Sequence, residues 1–244
     1  MMAQQTIERL LDLRLKTMAE DYAEQKDRGD MGELSFDDRF GLLVDREWLR
    51  RQEHRTQRRL KGSKSKQQAC LEDIDYRSRR GLDRKVMEDL APCHWIRAGR
   101  NLVMTGPTGV GKTWLSCAFI NRACREGLTA LYYRVPRLTH ELTIARGDGS
   151  YLKQLGKLSR VDLLVLDDWA LAPLEGQDQH DLLEVVDDRA GLRSTLVTSQ
   201  LPMAKWHDVV ADPSVADALL DRLIGCAIKI ELKGGSLRKP EATE

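Results

Sequence analysis

The sequence has few of the features that mark secreted, disulfide-stabilised or membrane-spanning proteins. It contains five cysteines, an odd number, and no two form a Cys-x-x-Cys pair, which argues against a disulfide framework and a zinc site. No apolar run approaches the roughly 20 residues that a membrane helix needs. The first residues lack the charged and apolar segments of a signal peptide. We therefore expect a cytoplasmic protein with no membrane partner.

Neither positive nor negative charge dominates the sequence, because the net charge is +1. The charged residues are nevertheless distributed unevenly along the chain. Residues 1–45 carry six basic and eleven acidic side chains. Residues 46–66 carry nine basic and two acidic side chains. A strongly basic segment is thus hidden in a nearly neutral chain.

The first part of the sequence has helical periodicity. Apolar residues recur at helical spacing between Ile7 and Tyr22, and Thr6 is a plausible N-cap. The pattern breaks at residues 29–32. Residues 35–38 (Ser-Phe-Asp-Asp) resemble a capping box with aspartate in the fourth position. A long helix is predicted from about Phe36 to about Lys61.

Two domains are predicted from the change of pattern along the chain. Residues 1–68 are predicted to form a small helical domain, and residues 69–244 are predicted to form a second, larger domain. In the second, apolar strands alternate with helices, and several strands are continuous apolar runs, as in parallel sheets covered on both faces. A five-stranded parallel sheet is expected, with a reduced or absent C-terminal lid and strands at residues 101–105, 130–133, 161–167, 194–199 and 226–231.

A complete phosphate-binding loop lies between the first of these strands and a helix. Residues 106–113 match Gly-x-x-x-x-Gly-Lys-Thr, in which backbone N–H groups surround an anion at a helix N-terminus. Lys112 is expected to reach the β- and γ-phosphates and Thr113 to bind Mg²⁺. The predicted ATP-binding residues are Gly106, Pro107, Thr108, Gly109, Val110, Gly111, Lys112, Thr113 and Trp114.

A second apolar strand, at residues 163–168, ends in two acidic residues and is typical of a Walker B strand. Asp167 is expected to hold Mg²⁺, directly or through water. Asp168 lies where many ATPases place a glutamate that polarises the attacking water. The alternative is an ordinary buried strand that ends in two solvated acids.

Another strand, at residues 194–200, ends in polar side chains that could sense the γ-phosphate. Ligands of such sheets bind at the carboxyl ends of the strands, so Thr198 or Gln200 could contact the phosphate or its water. A simple turn is the alternative interpretation.

Two arginines near the C-terminus are candidate ligands of the phosphates. Arg222, in a helical Asp-Arg-Leu segment, could act as an arginine finger on a neighbouring subunit, or it could form a surface ion pair with an aspartate. Arg238 could sense the nucleotide or belong to a basic tail.

The long N-terminal helix carries most of the local positive charge. A one-sided arginine face suits contacts with DNA phosphates. A solvated helix face and a docking surface for the acidic segment before it are the alternatives. The predicted DNA-binding residues are Arg50, Arg51, Arg55, Arg58, Arg59 and Lys61. The domain of residues 1–68 is therefore predicted to serve DNA binding or oligomerisation, and the domain of residues 69–244 is predicted to be an ATPase.

Taken together, these residues resemble the IstB-like AAA+ transposition helper ATPases of bacterial insertion sequences, which are relatives of the DnaC-like helicase loaders. The resemblance covers nearly the whole chain. It rests on residues 10–19, 45–53, 71–76, 198–202, 206–207, 221–223 and 234–239.

The resemblance implies an AAA+ module that assembles with ATP and Mg²⁺ into a ring, arc or helical homo-oligomer on double-stranded DNA. It also implies recruitment or stimulation of a DDE transposase and a trans-acting role for Arg222. Asp168, usually glutamate, and Gln200, often asparagine, depart from the common AAA+ pattern. Slow ATP hydrolysis, stimulated by DNA or a partner, is therefore expected.

Two other functions fit parts of the sequence. A helicase loader would bind a helicase and favour single-stranded DNA. A small-molecule kinase would share the phosphate loop, but the arginine-rich helix and the lack of a recognisable substrate segment argue against it.

Overall fold

The computed structural model describes residues 2–27, 34–77 and 80–237. The chain divides into two compact units, Met1–Arg58 and Arg59–Glu244, which we call the N-terminal unit and the nucleotide unit. The predicted break at residues 29–32 and Arg238 lie outside the described residues.

The described part of the N-terminal unit is helical. The helices are α1 (Met2–Asp12), α2 (Lys16–Asp27) and α3 (Phe36–Gly62), and the boundary between the two units falls within α3.

The first helical segment contains a turn that the sequence pattern does not reveal. Arg14 has a φ angle of 59°. Its N–H donates to the carbonyl oxygen of Leu11, and the N–H of Leu15 donates to that of Leu10, at 2.9 and 2.8 Å. This is a Schellman motif, which glycine usually forms. Because α1 begins before Thr6, the prediction of Thr6 as an N-cap was wrong.

The start of α3 follows the capping prediction. The N–H of Asp38 donates to the Ser35 hydroxyl at 3.1 Å, and that hydroxyl donates to the Asp38 carboxylate at 2.6 Å. These two bonds satisfy one free N–H of the first turn and fix where the helix begins.

The nucleotide unit is built on a five-stranded sheet with the strand order β2-β3-β4-β1-β5, in which every neighbouring pair is parallel. This sheet confirms the predicted fold class, and each strand begins and ends within two residues of its predicted bounds. The helices and strands of the nucleotide unit are α4 (Arg84–Leu90), α5 (His94–Arg97), β1 (Leu102–Thr105), α6 (Lys112–Arg125), β2 (Ala130–Arg134), α7 (Val135–Asp148), α8 (Tyr151–Arg160), β3 (Leu163–Trp169), α9 (Gly176–Asp187), β4 (Ser194–Ser199), α10 (Pro213–Ile224) and β5 (Ile228–Glu231).

The sheet separates two apolar clusters, which explains the continuous apolar runs. Along β3, Leu164 and Leu166 belong to one cluster, whereas Leu163 and Val165 belong to the other. The first cluster includes α7 to α10, and the second includes α4 to α6. Since both faces of the central strands are covered, successive residues are apolar instead of alternating with polar ones.

This topology directs the polar ends of the central strands to one edge. β1 lies between β4 and β5, and β3 lies beside β4. The segments that follow β1, β3 and β4 therefore meet at the carboxyl edge of the sheet, where such folds bind ligands. Within the described residues, no helix is both long and apolar enough to cross a membrane.

A buried carboxylate fixes the packing of α7, α8 and α9. Asp181 is fully buried and accepts hydrogen bonds from Arg146 Nε at 3.0 Å, Gln177 Nε2 at 2.9 Å and Tyr151 Oη at 3.3 Å. Burial opposes ionisation, but the bonds from Arg146 and Gln177 outweigh it and hold the pKa of Asp181 below its usual range.

We expect Asp181→Asn to lower the free energy of unfolding by about 3 kcal/mol, because it leaves a buried polar network half satisfied. The contribution of a lowered carboxyl pKa is present above about pH 4 and is lost as the pH falls through the folded-state pKa. Urea unfolding at pH 7 measures the effect. Glu88→Gln, which removes an exposed pair with Arg84, is the control and should change stability by less than about 0.5 kcal/mol.

Candidate functional site

The loop between β1 and α6 has the backbone geometry of a phosphate cradle. Gly106 has a φ angle of 149°, and a Cβ there would lie 2.3 Å from the carbonyl oxygen of Leu232. Gly111, just before α6, has a φ angle of 98°. Side chains at these two positions would meet neighbouring atoms or strain the backbone, so the sequence needs glycine at both.

Lys112 is the first residue of α6, and its side chain folds back onto this loop. Its side chain is largely buried, and Nζ donates to the carbonyl oxygens of Gly106 and Pro107 at 2.6 and 2.8 Å. An ammonium group that is held against the loop at the N-terminus of α6 is suited to binding an anion there.

Asp167, near the end of β3, accepts hydrogen bonds from a cluster of hydroxyl groups. It accepts hydrogen bonds from Thr113 Oγ1 at 3.0 Å, from Tyr132 Oη at 2.6 Å and from Thr198 Oγ1. The predicted pair of Thr113 and Asp167 is thus brought together, although the two residues are far apart in the chain.

The Thr113 and Asp167 pair has the chemistry of a partial magnesium site. A hydroxyl and a carboxylate supply the oxygen ligands that Mg²⁺ prefers. The described residues contain no group of three or more histidine, cysteine, aspartate or glutamate side chains that could hold a metal ion. A magnesium ion at this pair would therefore take its other ligands from phosphate and water, as Mg²⁺ bound with nucleotides does.

Tyr132 is a site residue that sequence reasoning missed. Burial, followed by its hydrogen bond to the Asp167 carboxylate, raises the pKa of the phenol. Its N–H also donates to the carbonyl oxygen of Ser63 at 2.8 Å. Tyr132 therefore connects Ser63, which follows α3, to the Asp167 carboxylate in β3.

Asp168 adopts an unusual backbone conformation beside the cavity. Its φ angle is 60°, and its N–H donates to Thr198 Oγ1 at 3.3 Å. Arg134, at the end of β2, donates from Nε to the Asp168 carboxylate at 2.7 Å. The sequence did not single out Arg134, because only the pairing of β2 with β3 shows this proximity.

The two candidate sensors near the end of β4, Thr198 and Gln200, differ in burial and in the residues that they contact. Thr198 is buried and bonded to Asp167. Gln200 is exposed and accepts a hydrogen bond from the Thr108 hydroxyl of the phosphate loop at 2.7 Å. Of the two, only Gln200 lines the cavity.

A cavity of about 650 Å³ opens beside the phosphate loop, a volume in the range of small-molecule sites. Trp114, Arg134, Asp168 and Gln200 belong to its walls, together with Thr108, Gly109, Gly111, Lys112 and Thr113. Val110 is fully buried in the apolar core. Its side chain therefore does not face the cavity, and only its backbone can contribute to binding.

Arg222 lies at the edge of the sheet opposite the phosphate loop. Its carbonyl oxygen accepts a hydrogen bond at 2.8 Å from Asn101, which precedes β1, whereas the phosphate loop follows β1. The four residues of β1 span about 13 Å. The Arg222 guanidinium donates to the Asp187 carboxylate and to the carbonyl oxygen of Ala218.

The basic residues of α3 fall into two groups. Arg50 is paired with Glu20 at 3.5 Å, and Arg51 is paired with Glu47 at 2.6 Å. Arg46 is paired with Asp21 at 2.9 Å. The pairs of Arg46 and Arg50 match the alternative in which the helix docks the acidic segment before it, whereas Glu47, the partner of Arg51, lies in α3 itself. Arg55, Arg58 and Lys61 are exposed and Arg59 is half-buried, and none of the four forms an ion pair with a described residue.

The phosphate loop, the strand order and the acids near the end of β3 give the nucleotide unit the fold of the AAA+ P-loop proteins. The family described as IstB-like ATP binding protein matches residues 8–244. The chain therefore belongs to the IstB-like ATP-binding proteins, and the resemblance inferred from the sequence is confirmed.

Similar proteins agree with this assignment. The chain is 47% identical to a Sinorhizobium fredii protein named as an insertion sequence ATP-binding protein, y4pL, over 98% of both chains. It is 53% identical to a Pseudomonas fluorescens protein named as an ATP-binding protein of insertion sequence IS1162, over 83% of this chain and 88% of the relative. The crystal structure of DnaI has a TM-score of 0.58 at 22% identity and covers 70% of this chain and 91% of its own, which shows a shared fold.

Proposed function

We propose that this protein is an ATP-dependent, DNA-binding transposition helper that assembles on duplex DNA in the cytoplasm. ATP and Mg²⁺ bind at the phosphate loop, and ATP is hydrolysed between neighbouring subunits. The assembled protein recruits or stimulates a DDE transposase and helps to select the target. The names of the relatives, all from insertion sequences, support the link to transposition.

The location of Arg222 is the observation that carries this proposal. Phosphoryl transfer in such ATPases uses an arginine that stabilises charge on the transferred group. Arg222 is separated from the phosphate loop of its own chain by the length of β1. A second subunit that brings its Arg222 to the loop would complete the site, so that ATP binding and assembly become coupled.

The residues around the phosphate loop have separate roles in ATP binding and hydrolysis. Lys112 and the loop N–H groups bind the phosphates, and Thr113 and Asp167 hold the magnesium ion, which neutralises charge on the phosphates when bound. Asp168 orients the attacking water as a general base. Gln200, which faces the cavity next to Thr108, senses the terminal phosphate.

DNA binding is assigned to the last two turns of α3. Arg55, Arg58, Arg59 and Lys61 have no acidic partner among the described residues and can contact phosphates without first breaking an ion pair. Arg50 and Arg51 are engaged with acids and contribute less. Contacts of this kind give affinity without sequence preference.

The double variant Arg55→Ala/Arg58→Ala tests the DNA surface. Two lost phosphate contacts should weaken duplex binding at least tenfold and reduce the slope of log K against log salt by about 2. Fluorescence anisotropy with a labelled duplex, at several salt concentrations and with ATP or ADP, measures both quantities.

Arg84→Ala/Lys85→Ala, which removes the same charge from exposed positions of α4, is the matched control and should bind DNA like the wild type. Equal losses in the two double variants would show a general charge effect and would contradict the assignment to α3. Tighter binding to single-stranded than to duplex DNA would instead support a helicase loader.

A further inference from the structure

One buried arginine beside the phosphate loop belongs to no motif recognised in the sequence. Arg80 precedes α4, is 6% exposed and lines the same cavity as Lys112 and Thr113. Arginine is rarely buried without a partner, so its surroundings indicate what it binds.

The backbone of Arg80 is fixed by the chain that leaves β5. Its carbonyl oxygen accepts a hydrogen bond from the N–H of Lys233 at 2.8 Å. The N–H of Leu232 donates to the carbonyl oxygen of Thr105 at 2.7 Å, and that of Leu237 donates to Gly109 at 3.0 Å. The same short segment therefore holds both Arg80 and the phosphate loop.

The Arg80 side chain points at the phosphate loop. Its Nη1 atom lies 2.9 Å from the position that a Cβ of Gly111 would occupy. Nη2 donates to the carbonyl oxygen of Asp75 at 2.8 Å. Nε is buried and has no hydrogen-bond partner among the described residues.

The Arg80 guanidinium has no anionic partner in the part of the chain that the structure describes, although Asp73 and Asp75 line the same cavity. Among the described residues no carboxylate forms an ion pair with Arg80, although burying an unpaired charge is costly. The planar fork of N–H donors matches the geometry of a phosphate group. The nearest site built for phosphate is the loop that Arg80 touches at Gly111.

We propose that Arg80 is a second cation of the nucleotide site, which binds the phosphate chain of the nucleotide from the side of Gly111. The contact is made within one subunit and is shared by nucleoside di- and triphosphates. It deepens the proposed ATP site and rests on it. Lys112 approaches the phosphates from inside the loop, and Arg80 approaches them from the segment before α4.

The test compares Arg80→Met and Arg80→Lys with the wild type. Titration calorimetry measures the Kd of Mg·ADP and Mg·ATP, and thermal unfolding measures Tm without nucleotide and with pyrophosphate. Loss of a charge-assisted bond should raise both Kd values about thirtyfold in Arg80→Met. Arg80→Lys, which keeps the charge but loses the fork, should recover part of the affinity.

The nucleotide-free Tm separates phosphate binding from a purely structural role. Removing a buried cation that lacks its anion should leave this Tm unchanged or raise it, while the stabilisation by pyrophosphate shrinks. Arg84→Met, the same substitution at an exposed position of α4, should leave the Kd unchanged.

A lower Tm with wild-type Kd values in Arg80→Met would overturn the proposal, because Arg80 would then only support the fold. A weaker Kd for ADP with unchanged pyrophosphate binding would also overturn it, since the contact would be with the base or ribose. If Arg80→Met does not fold, a wild-type Kd in Arg80→Lys decides against the fork contact. Failure of the wild type to bind either nucleotide would refute the ATP site itself and would be seen before any variant is compared.

Discussion

Replacing Arg222 with alanine is expected to reduce ATP hydrolysis about a thousandfold while ATP binding is retained. An arginine finger stabilises charge that develops only in the transition state, so its loss affects turnover and not ground-state affinity. Because Arg222 lies at the far edge of the sheet from its own phosphate loop, a monomer should bind ATP equally well with or without it. Phosphate release and equilibrium binding of a fluorescent ATP analogue measure the two properties.

The ion pair of Arg222 with Asp187 supplies the first control. A surface ion pair is worth little, typically less than about 1 kcal/mol. If Arg222 serves only this pair, Asp187→Asn should lower hydrolysis as much as Arg222→Ala does. If Arg222 acts on a neighbouring subunit, Asp187→Asn should hydrolyse ATP at close to the wild-type rate.

Mixed assemblies test the trans arrangement directly. Lys112→Ala should bind no ATP but keeps its Arg222, whereas Arg222→Ala keeps its phosphate loop. Each variant alone should be inactive, and a mixture should recover activity at interfaces where an intact loop meets an intact arginine. No recovery in the mixture, together with hydrolysis by a wild-type monomer, would place the arginine contact within one chain.

The fold could be predicted because its signals are local. The continuous apolar strands follow from a sheet that is covered on both faces, and the phosphate loop is a contiguous motif. The pairing of Thr113 with Asp167 was expected for the same reason. Thr113 lies in the first turn of α6 and Asp167 lies near the end of β3, and both are at the carboxyl edge of the sheet. The turn at Arg14 was missed because no glycine marks its left-handed conformation.

The residues that surround the motifs could not be predicted, because their roles depend on strand register and on contacts distant in sequence. Tyr132 reaches Asp167 only because β2 pairs with β3 in parallel. Arg80 reaches Gly111 because the chain after β5 holds the segment before α4 against the loop. Neither residue belongs to a pattern of spacing or composition that distinguishes it from the many other polar residues of the chain.

The left-handed backbone of Asp168 offers a physical reason for its departure from the usual glutamate. With a φ angle of 60°, this position favours aspartate and asparagine, which enter the left-handed region more readily than other residues with a Cβ. A glutamate here would carry a backbone penalty of about 1 kcal/mol. Asparagine is therefore a substitution that removes the charge of Asp168 without disturbing its backbone.

Asp168→Asn is expected to lower ATP hydrolysis by a factor of about 100 to 10,000, the usual contribution of a general base. ATP affinity should change by less than about threefold, because the phosphate loop, Thr113 and Asp167 are unaltered. Under the proposed function, the ATP-bound assembly would then persist on duplex DNA. Single-turnover ADP formation and the rate of dissociation from a labelled duplex after dilution measure both consequences.

The two rates identify what Asp168 does. If its carboxylate activates water, the Asp168→Asn assembly should form ADP slowly and dissociate from DNA slowly. Arg222→Ala should also hydrolyse ATP slowly, but because the site of the neighbouring subunit lacks its arginine. Mixing Arg222→Ala with Lys112→Ala should therefore restore hydrolysis. Asp168→Asn should not be rescued in that way, because its own active site remains defective. Wild-type hydrolysis by Asp168→Asn would show that another group activates the water. Rapid dissociation from DNA despite slow hydrolysis would show that ATP turnover does not control how long the protein stays assembled.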